Sequence, residues 1–135
     1  MRREIVEQMV QSITDTGLFN KIYKNFMPVW TDVPDFPAAA VMYESEKLMR
    51  EFISGNTFRY EATVIVTIYN KQDSTEYDDI LTDLIDAVQR GILSNEWLVC
   101  NTIDCFQETM QRDGGALHPF AMAQLEFKVR YMYKA

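Results

Sequence analysis

AMAQLEFKVRYMY, residues 121–133, alternates without interruption. Ala121, Ala123, Leu125, Phe127, Val129, Tyr131 and Tyr133 point one way, and Gln124, Glu126, Lys128 and Arg130 stand between them. A period of two with one apolar side is the pattern of a strand buried on a single face. At roughly 3.4 Å per residue its twelve steps span about 41 Å. A globule of 135 residues has a radius of gyration near 14 Å and a width of about 37 Å. The strand is as long as the protein is wide, so it either bends or projects its end and its polar face beyond the private core.

Working outward from this strand, Asp113-Gly114-Gly115 reads as a turn and Thr102 to Arg112 as the strand that precedes it. Asp73, with Glu76 three residues on, forms a capping box for a helix carrying Tyr77, Ile80, Leu81, Leu84, Ile85 and Val88. Gly91 and Ser94-Asn95 mark its fraying end. Before it, Phe58, Tyr60, Ala62, Val64, Val66 and Ile68 alternate with Arg59, Glu61, Thr63 and Thr67 as a central strand. Residues 44–56 fit two templates. Leu48, Met49, Phe52 and Ile53 make a helical stripe capped by Gly55, and equally a hairpin arm turning at Ser54-Gly55-Asn56, which we favour.

The N-terminal third divides into a helix over Arg2 to Thr16 with Ile5, Val6, Met9, Val10 and Ile13 on one side and Gly17 at its end. A short strand follows over Phe19 to Phe26. Pro28, Pro34 and Pro37 make Met27 to Pro37 a loop, and PAAAVMYE, from Pro37 to Glu44, is a strand whose alanines suit a close approach by a helix or another backbone. The order α-β-β-β-α-β-β implies an α+β fold, a mostly antiparallel sheet with two helices packed on one face, in a single domain over residues 1–135.

Composition narrows function. Thirteen basic against twenty acidic residues leave a formal charge of −7, the wrong sign for gripping a phosphate backbone. No run of about twenty apolar residues is present, and the charged and amide residues of MRREIVEQMVQSI argue against an export signal. Cys100 and Cys105, if their segment is extended, point to opposite faces about 16 Å apart, too far for a disulfide. Free thiols are expected. Asp78, Asp79, Asp83 and Asp86 crowd one helix side and could attract a divalent cation, but a solvated face with an Asp86–Arg90 pair explains them. His118 lacks an adjacent nucleophile and reads as a polar loop residue. Nucleotide-binding, hydrolase-elbow, zinc-protease and calcium-loop signatures are absent from the sequence. Met42, Leu48, Met49, Phe52, Ile53, Met110 and Met132 are apolar at positions the alternation does not assign to the core, and as a set they point to self-association.

Three segments, DFPAAAVMYE at residues 35–44, TFRYEATVIVTIYN at 57–70 and DGGALHPFAMAQLEFKVRYMY at 113–133, resemble in order and spacing the tail terminator proteins of long-tailed bacteriophages, also called tail-completion or minor tail proteins. The likeness extends to the N-terminal helix, the proline-rich loop and the helix from Ser74 to Arg90, so it covers nearly the whole chain. It implies a small α+β subunit, assembled in the host cytoplasm and incorporated in the virion, that forms a homo-hexameric ring on the tail tube. Such a ring stops tube polymerisation and offers a joining surface to a head-side connector or stopper protein, while DNA passes through without specific binding. The resemblance implies no cofactor, no metal and no catalytic residue. Positions for subunit or tail-tube contact, inferred from the residues, are Met49, Arg50, Phe52, Ile53 and Phe58. The competing readings are another phage neck or connector protein, a dimeric α+β module binding a small ligand in an enclosed pocket, and a metal-dependent hydrolase built on the Asp78 to Asp86 cluster.

Overall fold

The N-terminal stripe forms α1 (Arg2–Asp15), which buries Ile5, Val6, Met9 and Ile13. Gly17, at φ 69°, adopts the left-handed conformation that ends the helix, and its N–H is bonded to the Thr14 carbonyl. Among the described residues five strands follow with two further α-helices and a 3-10 turn at Trp30–Asp32: β1 (Lys21–Lys24), β2 (Ala38–Ser54), β3 (Thr57–Lys71), α2 (Tyr77–Leu93), α3 (Glu96–Asn101), β4 (Asp104–Arg112) and β5 (Phe120–Lys134). The computed structural model describes residues 1–54, 57–71, 77–113 and 119–134, and within these the side chains other than those of 50–54, 77, 78 and 134. The expected turns at Gly55-Asn56 and Gly114-Gly115, the Asp73–Glu76 capping box and His118 lie outside the described residues.

The sheet order is β1-β2-β3-β5-β4, antiparallel throughout except for the parallel pair β1–β2. The fold is therefore α+β with a mixed, mostly antiparallel sheet and two main helices, in the order α-β-β-β-α-β-β. The ambiguous segment is strand: β2 runs to Ser54 and pairs with β3 as the arm of a hairpin. Helix-side residues of β3 and β5, among them Val64, Val66, Leu125, Phe127 and Val129, form the core with α1 and with Leu81, Leu84, Ile85, Val88 and Ile92 of α2. Each such large side chain removed from water is worth about 1.5–3 kcal/mol.

The structure departs from the sequence reading at three places. First, the sheet is not polar over the whole of its other face. A parallel pair needs a long crossover, and the proline-rich segment between β1 and β2 supplies it by lying across that face. Val33 there is buried with Ala38, Ala40 and Tyr69, and Met27, Trp30 and Phe36 pack around them. Tyr69 donates to the Pro28 carbonyl at 2.6 Å, and Trp30 and Phe36 meet Phe120 at ring separations of 4.5 and 5.7 Å. Second, Gly91 lies inside α2, not at its end. A Cβ there would stand 3.3 Å from the Ser12 carbonyl oxygen of α1, so a hydrogen allows the two helices to approach. Third, Asn95 opens α3, a short helix without its own periodic signal, by accepting from the Leu98 N–H at 2.9 Å. The segment between Cys100 and Cys105 is thus not extended, because Cys100 is on α3 and Cys105 on β4; both thiols are free.

Candidate assembly surface

Along β5 the helix-facing side chains Ala121 to Tyr131 are sealed from water, but the next in phase, Tyr133, is 42% exposed. The core ends at Tyr131 while the sheet continues. Beyond that line, β2, β3 and the end of β5 make a three-stranded arm with Phe58 opposite Tyr133, and Tyr60 between Leu48 and Tyr131. Tyr60 stacks on Tyr131 at 5.8 Å and meets Tyr133 edge-on at 6.1 Å. Leu48, Met132 and Tyr133 are exposed there.

Two irregularities shape the arm. Glu44 is the extra residue of a bulge between Tyr43 and Ser45, which re-phases β2 so that Glu46 and Leu48 stand beside Ala62 and Tyr60 on the helix side. From Leu48 to Ile53, β2 takes five steps while β3 takes two, from Tyr60 to Phe58. The edge is also open. Asn25, at φ 55°, ends β1; its N–H donates to the Val41 carbonyl and its side chain accepts from the Tyr43 N–H. Among the described residues no strand covers β2 beyond that point.

A polar cluster ties the arm to α1. The Glu46 carboxylate, three-quarters buried, accepts from Tyr131 Oη at 2.7 Å, Tyr43 Oη at 3.1 Å and Arg2 Nε at 2.6 Å. Burial alone would raise its pKa, but the donors Tyr131, Arg2 and Tyr43 outweigh burial and hold it below 4.5. Burial pushes the Tyr43 hydroxyl up to about 12 and raises that of Tyr131 as well. On the opposite face a ladder of charges crosses four strands: Lys47 to Glu61 at 3.8 Å, Glu61 to Arg130 at 2.9 Å, Arg130 to Asp104 at 3.3 Å. Lys128 adds Thr63, Glu126 and Glu108 at 2.6, 3.2 and 3.4 Å. This face is polar with its charges matched in pairs.

All five contact positions read from the sequence fall on the arm. Met49 and Phe58 are half-buried, and Arg50, Phe52 and Ile53 lie on β2 with side chains outside the described set. The sequence reading left out Glu46, Arg2 and the Tyr43–Tyr131 pair, whose only signal was a tyrosine-rich strand end. Among the described residues no group of three or more His, Cys, Asp or Glu is placed to hold a metal, and Asp79, Asp83 and Asp86 stand exposed on α2. Among the described residues no helix is long and apolar enough to cross a membrane. A cleft of about 320 Å³ lies where the C-terminal ends of α1 and α2 meet, lined by Ser12, Asp15, Arg90 and Ser94 among others.

A family model described as "Bacteriophage Tail Tube Terminator Protein" matches residues 1–135. No curated protein matches the chain in sequence. Among solved structures, a chain from the virion of a native gene transfer agent particle aligns at 8% identity over 95% of this chain and 92% of its own, with a TM-score of 0.53, which is a likeness of fold. The fimbrial biogenesis protein PilO of Pseudomonas aeruginosa aligns at 7% identity over 97% of this chain and 68% of its own, with a TM-score of 0.40.

Proposed function

The chain belongs to the bacteriophage tail tube terminator family, and from that premise we propose that it caps the tail tube as a homo-hexameric ring, stops tube polymerisation and presents the head-joining surface. The observation that carries this reading is the arm: a sheet continuing past its helices, with Leu48 and Tyr133 uncovered and a long open β2 edge. A three-stranded extension of this kind gains burial only from another molecule. One ring face copies the contacts of an incoming tube layer through Met49, Arg50, Phe52, Ile53 and Phe58. The opposite face lacks the surface on which a further layer could nucleate and instead meets a head-side connector or stopper protein.

Contacts that join unlike surfaces and close at six copies give a ring and not a filament. Six copies at −7 each put about −42 on it, which discourages DNA from lodging in the bore. The test mixes the purified chain with polymerising tube subunits and measures tube lengths by electron microscopy. Short tubes carrying a terminal ring are expected. Unchanged lengths together with no binding to tube ends would overturn the reading.

A further inference from the structure

The two outermost strands carry unlike surfaces. At one end of the strand order, β1 runs between exposed Leu18 and Phe26, with the cations Lys21 and Lys24 on the strand itself. Phe26 is 59% exposed. Lys24 meets Glu7 of α1 at 3.1 Å, and Lys21 lies 5.5 Å from the centre of the Tyr23 ring. At the other end, the junction of α2, α3 and β4 exposes Leu93, Val99 and Ile103 around a cleft of about 190 Å³. Val99 is 66% exposed. Asp104 lines this cleft and is paired to Arg130, while Glu96, in the first turn of α3, is exposed.

We infer that neighbouring copies in the ring join edge to edge, the apolar and basic β1 border of one seated on the apolar and acidic α3–β4 border of the next. This rests on the ring reading and deepens it. The occupant is a second copy because the complement of each border is present on the same chain, apolar against apolar and exposed Lys21 against exposed Glu96. Neither border complements itself in charge: two β1 borders face to face would set Lys21 against Lys21, and two α3–β4 borders Glu96 against Glu96. The contact is therefore heterologous, the type that propagates around a ring. A standard contact takes about 800 Å² from each partner, near a tenth of the 7447 Å² surface. Both joints leave most of the molecule free, so the arm is available for the tube.

The experiment uses Phe26→Glu, which spoils the first border, and Val99→Glu, which spoils the second, with circular dichroism to check folding. Each variant is incubated with tail tubes, fixed with a lysine-reactive cross-linker and sized on a denaturing gel beside wild type. Wild type is expected to yield a ladder of multimers at tube ends. Each variant alone loses multimers at least tenfold. Their equimolar mixture yields dimers and nothing larger, because only one sound joint can form between them. As a second route, Lys21→Glu and Glu96→Lys each weaken the ladder, and the two combined in one chain restore it. Variants that ladder like wild type overturn the edge contact and leave the ring standing. Wild type without multimers at tube ends overturns the ring itself and this inference with it.

Discussion

Replacing Tyr131 with Phe removes one hydroxyl from the root of the arm and leaves the packing intact, since the ring stays sealed and stacked on Tyr60. The lost group is one of three donors to the Glu46 carboxylate, at 2.7 Å. A hydrogen bond to a charged group contributes about 1.5–3 kcal/mol, a neutral one about 0.5–1.5. Tyr43 and Arg2 still donate to the carboxylate, so a loss of about 2 kcal/mol is expected at pH 7. The sign with pH follows from the folded-state pKa of Glu46, which lies below its ordinary 4.5. Stability from the ionised carboxylate is fully present above the ordinary value and is lost as pH falls through the lower, folded one. The Tyr131→Phe penalty should therefore shrink to about 1 kcal/mol once pH has fallen through the folded-state pKa of Glu46, where the bond is neutral. Urea unfolding of wild type, Tyr131→Phe, Glu46→Gln and the double variant at pH 7 and at a series of falling pH values measures it, with unchanged m-values as the check on two-state behaviour. A penalty that stays constant down the series until the wild type unfolds, or a coupling to Glu46 at pH 7 below about 0.3 kcal/mol, would refute the reasoning.

Phe127→Ala, at a fully buried position between α2 and the sheet, is expected to cost about 3–5 kcal/mol in urea unfolding; a loss under 1 would mean the helices do not seal that layer. Asn95→Ala removes the cap of α3 and the side chain's link to Ser12 Oγ at 2.8 Å on α1, and should lower stability by about 1–2 kcal/mol by the same assay. Leu48→Ser with Tyr133→Ser, both exposed on the arm, should leave the thermal midpoint within a few degrees of wild type. Sedimentation with tail tubes should show at least tenfold weaker binding; full binding would remove the arm from the contact. Changing Asp79, Asp83 and Asp86 to Asn, or adding EDTA, should leave the thermal midpoint in place, as expected of a solvated helix face.

What the residues determine on their own is which side of each element is buried. The alternation from Ala121 to Tyr133, the stripe from Ile5 to Ile13 and that from Leu81 to Val88 report burial directly, because a period of 2 or 3.6 is the imprint of a single covered face. Element order and the reach of β5 past the core followed from that, and so did the placement of Met49 and Phe52 on one excursion, with Phe58 on the strand after it. Periodicity does not say what does the covering. Residues 25–37 have no period, so only the tertiary structure shows the proline-rich segment lying over Tyr69 as the crossover of a parallel pair. Glu46 has no local pattern to set it apart. It is a buried acceptor because Arg2 and Tyr131, 44 and 85 residues away, converge on it, and contacts of that separation leave no trace in local pattern. The two unlike borders likewise exist only once the chain has placed β1 and β4 at opposite ends of one sheet.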